Sequence, residues 1–290
     1  MTRRTVGWLG AALTVASIAV MAAQQLPSEP PKQFGASVTG AFEGWFDTPD
    51  GSRAFLVGYF NRNTGQPLDI PIGPDNRIEP GGPDLGQPTH FLPGRQHGMF
   101  VVSVPKNFGP EQRLTWTLAA NGQTTSIPLR LNPDYVVSPF MESAVKNTPP
   151  LLRFAENGPA IQGPVGILEK AIARTTSSSV PLPLTVWAAD DGKYTSGTSA
   201  PQRNPPPPAV VLTWSKYRGP GSVTFDPARP EMEKLQSGGA AFNGRATTNA
   251  RFSQPGAYVL HVTANDFSGV GGGGFQCCWT TALVKVSVTP

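Results

Sequence analysis

The chain has 290 residues, with 32 glycines, 32 prolines and only 14% charged residues, a composition that favours many short strands and turns and speaks against a helical protein. The formal net charge is +4, and no Lys/Arg cluster interleaves with aromatic residues, which excludes a nucleic-acid surface. The length allows one or two domains, and a hydrophobic fraction of 39% is enough for two cores of about a hundred residues each.

Residues 1–23 read as a secretory signal peptide. Arg3 and Arg4 form the positive end, 6–20 is largely apolar, and Met21-Ala-Ala23 is a small-residue cleavage site. The apolar run of about 15 residues falls short of the ~18–20 a spanning helix needs, so cleavage is expected, with no stable membrane span afterwards. No cysteine follows that could carry a lipid. Cleavage removes two arginines and leaves 21 basic against 19 acidic groups. The expected location is secreted or periplasmic. Residues 24–35, with Pro27, Pro30 and Pro31, read as a disordered or extended polar tail.

The next stretch, 36–140, reads as a first β-sandwich domain. Strands are expected over 37–46, 53–60, 99–104, 113–118 and 124–127. Asp50-Gly51 and Asn121-Gly122 tolerate the positive φ that tight hairpins need. Phe55, Val57 and Tyr59 alternate with Leu56, Gly58 and Phe60, so both faces of that strand are apolar and it belongs at a sheet centre or an interface. Between 61 and 98 lies a long irregular segment. Unstructured loops of that length are functional or disordered, but Ile70, Ile72, Ile78, Phe91 and Leu92 argue for an ordered loop packed across one end or face of the first sandwich. Phe42-Glu-Gly-Trp-Phe46, Gly58-Tyr-Phe-Asn-Arg-Asn63 and Asn76-Arg-Ile-Glu-Pro-Gly-Gly82 resemble the conserved part of uncharacterised exported bacterial proteins. That resemblance implies no activity.

Residues 141–180 read as a connector, punctuated by Asn147-Thr-Pro-Pro150. Within it 167–174 suits a short helix or a first strand, and 175–179 a polar hinge. The second domain spans 181–290, with strands expected at 182–187, 210–214, 223–225, 258–264 and 282–288. The last two alternate cleanly in period two. The fold class is therefore all-β, two Ig-like β-sandwich domains after a signal peptide.

The run Phe252-Ser-Gln-Pro-Gly-Ala-Tyr-Val-Leu-His-Val-Thr-Ala-Asn-Asp266, with Val286-Ser-Val-Thr289 closing the chain, resembles the penultimate and final strands of polycystic-kidney-disease (PKD) type, Ig-like domains. The resemblance covers roughly 180–290. It implies a β-sandwich used as a spacer or binding module. The loop departs from the family: where a short polar turn is usual, this chain has a Gly run and a Cys-Cys pair.

In an Ig-like strand order the strands at 184–187 and 258–264 run the same way, so their following loops emerge at one end. That pole gathers Asp190, Asp191, the prolines 205–208, Asp266 and the loop bearing Gly272, Phe275 and Trp279. It suits a protein or glycan partner at the cell envelope, or a Ca²⁺ ion, which takes several oxygen ligands. The bland reading is ordinary turn residues. No other cofactor is suggested.

Cys277-Cys278 are expected to oxidise in an exported protein, yet neighbouring Cα atoms sit ~3.8 Å apart across a trans peptide, closer than disulfides usually allow. A vicinal disulfide, two buried thiols, bonds to another chain and a metal site all stay open, although two thiolates are too few for structural zinc. Gly269-x-Gly271-x-x-Gly274 matches the dinucleotide fingerprint only formally, because no helix follows and no acid occurs after Asp266. His90 and His97 share the long loop with Asp75, Glu79 and Asp84 without any metal-site spacing, and His261 is expected on the outward face of its strand. No Gly-x-Ser-x-Gly or triad spacing occurs. The expected function is non-catalytic binding or structural support at the cell envelope. The alternatives are a metal-assisted hydrolase built on 61–98 or a redox-sensitive role for the cysteine pair.

Overall fold

The computed structural model describes residues 29–48, 50–143, 145–193, 208–236, 239–266 and 277–290. In chain order the strands are β1 (Val38–Asp47), β2 (Arg53–Asn61), β3 (Leu68–Asp69), β4 (Asn76–Glu79), β5 (His90–Phe91), β6 (Gly94–Val104), β7 (Arg113–Ala120), β8 (Gln123–Arg130), β9 (Leu151–Arg153), β10 (Ile172–Ser177), β11 (Leu182–Asp190), β12 (Val211–Arg218), β13 (Val223–Asp226), β14 (Glu233–Lys234), β15 (Phe242–Phe252), β16 (Gly256–Asn265) and β17 (Trp279–Thr289). Helical structure among the described residues is limited to two single 3₁₀ turns, Pro133–Tyr135 and Leu168–Lys170. The protein is all-β, and no helix among the described residues is long and apolar enough to cross a membrane.

In the N-terminal half, the sheet β1-β2-β6 faces the sheet β4-β7-β8. Phe55, Val57 and Tyr59 from the first meet Ile78, Trp116, Leu118 and Leu129 from the second. Both predicted hairpins form. Asn121 (φ 51°) and Gly122 (φ 75°) make the two-residue turn between Ala120 and Gln123, a backbone geometry that requires positive φ at both positions. In the C-terminal half, the sheet β10-β17-β16-β12 packs on β13-β15-β11-β9. The inward residues of β11, Leu184, Val186 and Ala188, meet Leu260, Val262, Val284 and Val286. The alternation read from the sequence is what places these side chains in the core.

Three stretches differ from expectation. The stretch 141–180 joins the C-terminal sheets as well as linking to them: β9 pairs with β11, and β10, which includes part of the expected polar hinge, pairs parallel with β17. β15 runs the full length of β11, yet its buried positions are Gly244, Ala246, Thr248, Ala250 and Phe252. Small residues give almost no apolar periodicity, so the strand was not legible. The segment 61–98 contains β3, β4 and β5, and the strand expected from 99 begins at Gly94.

That segment is ordered by buried amides. Asn61 Nδ2 donates to the carbonyls of Gln66 and Phe91, each at 3.0 Å. Asn76 Nδ2 donates to those of Ile70 (2.9 Å) and Pro88 (2.8 Å) and its Oδ1 accepts from Trp116 Nε1 at 3.0 Å. Gln87 holds Leu85 N and Pro83 O. Buried backbone groups in an irregular segment must find partners, and these side chains supply them. Asn61, Asn63 and Asn76 lie in the runs 58–63 and 76–82, so those runs serve the architecture.

Residues 31–290 form one compact unit. The main N-terminal core extends into Tyr217, Val259 and Leu283, and a smaller cluster joins Phe46, Leu56 and Val101 to Trp279.

Candidate functional site

Among the described residues, two places bring chemistry-bearing side chains from distant parts of the chain together: the pole of the C-terminal half and the joint between the halves.

At the pole, β11 ends in Asp190 and β16 is followed by Asp266. Both are buried, because both continue the inward phase of their strands. Asp266 accepts from Asn147 Nδ2 at 2.6 Å. Asp191 accepts from Thr148 N (3.2 Å) and Oγ1 (2.9 Å), and from Lys193 N at 2.9 Å. Asp190 accepts from Gly192 N at 2.8 Å through Oδ2, while Oδ1 has no hydrogen-bond partner. Burial pushes the Asp190 carboxyl up to about 7, with the charges of Asp266 and Asp191 acting in the same direction. Thr148, Gln162, Ala189, Asp190 and Asp191 line a cleft of about 260 Å³.

Cys277 and Cys278 form a vicinal disulfide across a cis peptide, with their Cα atoms 3.1 Å apart. Of the readings left open by the sequence, this is the one realised. Both cysteines are buried, with Cys278 Sγ 3.4 Å from the carbonyl oxygen of Asn147. Asn147 thus touches both the disulfide and Asp266. Thr280 Oγ1 donates to Pro150 O at 2.5 Å, so the Asn147–Pro150 stretch is clamped along the start of β17.

The structure therefore brings Asp190, Asp191, Asp266 and the cysteine pair to one end. Gly272 and Phe275 lie outside the described residues, as do prolines 205–207. Trp279 is different. It is fully buried and packs in the joint with Phe46, Leu56 and Val101, so it is a core residue and presents no surface at the pole. Among the described residues no group of three or more His, Cys, Asp or Glu is arranged to hold a metal ion. The three acids are instead turned into separate hydrogen bonds.

At the joint, the carboxylate of Glu43 is 3% exposed. It accepts from Arg95 Nη2 at 2.5 Å and from Gly98 N at 2.8 Å, with His97 Nδ1 3.5 Å away. Glu43 and Cys277 line one cleft of about 420 Å³ below the 134–143 segment, on which Tyr135, Val136 and Met141 are exposed.

The other face of the joint is built from 61–98 and β12. The β12–β16 register shifts between Lys216 and Arg218, a bulge that re-aims side chains. Lys216 Nζ lies 3.0 Å from Asp69 Oδ1. Tyr217 donates its hydroxyl to Gly86 O at 2.5 Å. Arg218 forks onto both oxygens of Asp84, at 2.9 and 2.8 Å. Arg218 holds the Asp84 carboxyl below its usual range against the opposing effect of burial. Burial raises Asp69, but hydrogen bonds from His90 and Lys216 outweigh it and hold that carboxyl low as well. The long segment therefore lies on the C-terminal half, not only on the first sandwich.

His90, Asp84 and Glu79 do not converge. Each has its own partner, Asp69, Arg218 and Arg77 respectively. His261, expected to face outward, is buried and stacked on Tyr217 at 5.9 Å. The face of β16 that would be solvated in an isolated sandwich is covered by the N-terminal half. Burial lowers its pKa to about 4. Sequence reasoning had no signal for Glu43, Arg95 or the Lys216–Arg218 trio, since no local spacing announces a contact across more than fifty residues.

No protein-family model matches the sequence, and no curated protein matches it. Among solved structures the chain is similar to a protein of unknown function from Porphyromonas gingivalis, at 11% identity over 87% of this chain and 100% of that one, with a TM-score of 0.24. It is similar to an endo-fucoidan hydrolase of glycoside hydrolase family 107, at 13% identity over 90% of this chain and 30% of that one, with a TM-score of 0.23. It is also similar to the CFA/I enterotoxigenic E. coli adhesin CfaE, at 9% identity over 90% of this chain and 82% of that one, with a TM-score of 0.21. Likeness at this level carries no argument about function.

Proposed function

We propose that this chain is an exported, non-catalytic binding module of the cell envelope. In this reading it is built of two Ig-like β-sandwiches, the second of PKD type, and engages a protein or glycan partner through loops at the end of the C-terminal half. The observation that carries the reading is the clamping of the Asn147–Thr148 stretch at that end. Asn147 bridges the vicinal disulfide and Asp266, and Thr148 ties Asp191 to the same stretch. A pre-organised surface lowers the entropic cost of binding. Export is supported by the apolar run in 1–23 and by the disulfide, since such bonds persist in oxidising compartments. The metal-assisted hydrolase alternative lacks comparable support, because the acids and histidine it needs are engaged in separate pairs.

The test is expression of the full chain with a C-terminal tag, followed by fractionation, intact mass and co-sedimentation with isolated envelopes. Recovery outside the cytoplasm with residues 1–23 absent, and sedimentation with envelopes, is the expected result. Cytoplasmic retention of the unprocessed chain, or no sedimentation, would overturn the reading.

A further inference from the structure

The cleft beside Asp191 does not end at the pole. It adjoins a second cleft of about 550 Å³, and the two share Leu151, Ala189 and Ala240. Together they form one groove across the β9 edge of the five-stranded sheet. Its floor, Ala189 and Ala240, is small. Its walls carry Gln162 and Asp191 on one side and Arg153, Glu156 and Asn157 on the other.

We propose that this groove binds an oligosaccharide, a reading that rests on the binding function above and names its ligand class. Three observations converge. The first is a set of polar side chains at one place, some anchored and some with free hydrogen-bonding capacity. The side chains of Gln162 and Asp191 are anchored, Gln162 Nε2 donating to Pro149 O and Asp191 accepting from Thr148, which leaves Gln162 Oε1 to accept. Among the described residues Arg153 and Asn157 have no side-chain hydrogen-bond partner, and Glu156 acts on Arg245 through its charge.

The second is their chemistry. Each sugar hydroxyl both donates and accepts, so a matching site sets acceptors and donors side by side, which carboxylates, amides and guanidinium supply. This groove has all three, with mixed charge, alongside an apolar lining from Pro149, Leu151, Ala189, Ala240 and Ala241. That mixture suits a polyhydroxyl chain better than an apolar peptide anchor.

The third is an aromatic beside the groove, on the same face of the sheet. Trp187 is half-buried and lies two residues before Ala189, hence on the same face of β11. Its register partners are Arg153 on β9 and Arg245 on β15. An indole combines a broad apolar face with one polar edge, and the apolar C–H face of a pyranose ring stacks on such a surface. The two clefts, about 260 and 550 Å³, fall within the range of small-ligand sites, ≈ 300–1,000 Å³, when taken as one. The groove holds a short run of sugars.

The test titrates the full mature chain with neutral oligosaccharides of glucose, N-acetylglucosamine and mannose, read by calorimetry. Asn157→Ala and Arg153→Ala are expected to weaken binding about tenfold each, the loss of one good hydrogen bond. Trp187→Ala is expected to weaken it more, with the thermal midpoint measured to separate loss of stacking from loss of fold. Arg130→Ala, on β8 of the other half, should leave binding unchanged. Binding that ignores all three groove variants overturns the assignment of the site. Absence of binding by every sugar, while the protein still sediments with protease-sensitive envelope material, overturns the glycan and leaves the binding function standing with a protein partner. Absence of both would overturn the two readings together.

Discussion

The indole of Trp279 lies so close over Gly98 that a β-carbon added there would stand 2.5 Å from Cζ2 and 2.8 Å from Nε1. Gly98 also has φ +51°, where a β-carbon is disfavoured, and its N–H is held by the buried Glu43 carboxylate at 2.8 Å. One glycine thus lets β6 of the N-terminal half accept the first residue of β17. Gly98→Ala is expected to destabilise the protein by about 2–4 kcal/mol through overpacking and backbone strain, and Trp279→Ala by about 3–5 kcal/mol through the cavity it leaves. Urea denaturation of both variants checks this. Wild-type stability for Gly98→Ala would mean that the contact is not rigid.

Arg218 is the polar counterpart of that contact. Its fork onto Asp84 and its bonds to Gln87 O tie the long segment to β12. Arg218→Ala is expected to cost on the order of 2 kcal/mol, as a charge-assisted pair does when one member is removed, and to open the stretch 80–92 to limited proteolysis. Arg218→Lys should restore little, because an ammonium cannot match the planar fork. Full rescue by lysine would show that charge alone matters.

His261 is expected to make the joint acid-sensitive. Its folded pKa, about 4, lies below the unfolded value near 6.5, so the folded state favours the neutral ring. Its contribution is fully present above about pH 6.5 and is lost as pH falls towards 4, by roughly 3 kcal/mol at the limit. His261→Phe keeps a ring on Tyr217 and should flatten the pH dependence of urea stability over that window. An unchanged slope would assign the acid sensitivity elsewhere.

Asp190 acts with the opposite sign. Its folded pKa, about 7, lies above the unfolded carboxyl value near 3.9. The folded state therefore prefers the protonated form, and this stability is lost as pH rises from about 4 through 7. Asp190→Asn keeps an acceptor for Gly192 N and should raise stability above neutral pH while changing little in acid. Destabilisation at alkaline pH would show that the carboxylate charge is needed.

Both cysteines of the disulfide are buried, with Cys277 at the edge of the cleft it shares with Glu43. In the folded protein it should resist mild reductant and take up no alkylating agent. After denaturation and reduction two labels should be incorporated. Intact mass, two daltons below the dithiol form, reads this directly. Labelling of the native protein without reductant would show free thiols instead.

What could be read from the residues was whatever local patterning dictates. Alternation in 53–60, 258–264 and 282–288 marked strands whose inward side chains do form the cores, and Asn121-Gly122 marked its hairpin through the positive φ it permits. β15 escaped because Gly244, Ala246 and Thr248 bury without carrying a hydrophobic signal. At the pole, strand direction was enough to anticipate that Asp190, Asp191 and Asp266 share one end, since strands running the same way end together.

The tertiary structure decided which faces are solvent. Period two assigns a residue to one side of a strand but cannot say whether water or another sheet lies there. His261 and Trp279 are on sides that another part of the chain covers, so an expected outward histidine and an expected ligand contact are both core. The groove formed by Gln162 and Asp191 with Arg153, Glu156 and Asn157 was equally hidden, because it exists only where β9, from the stretch that reads as a connector, adds to the edge of β11. Local sequence specifies side-chain phase through short-range sterics. Burial, charge pairing and clefts depend on contacts between residues far apart in the chain, and only the folded packing creates those.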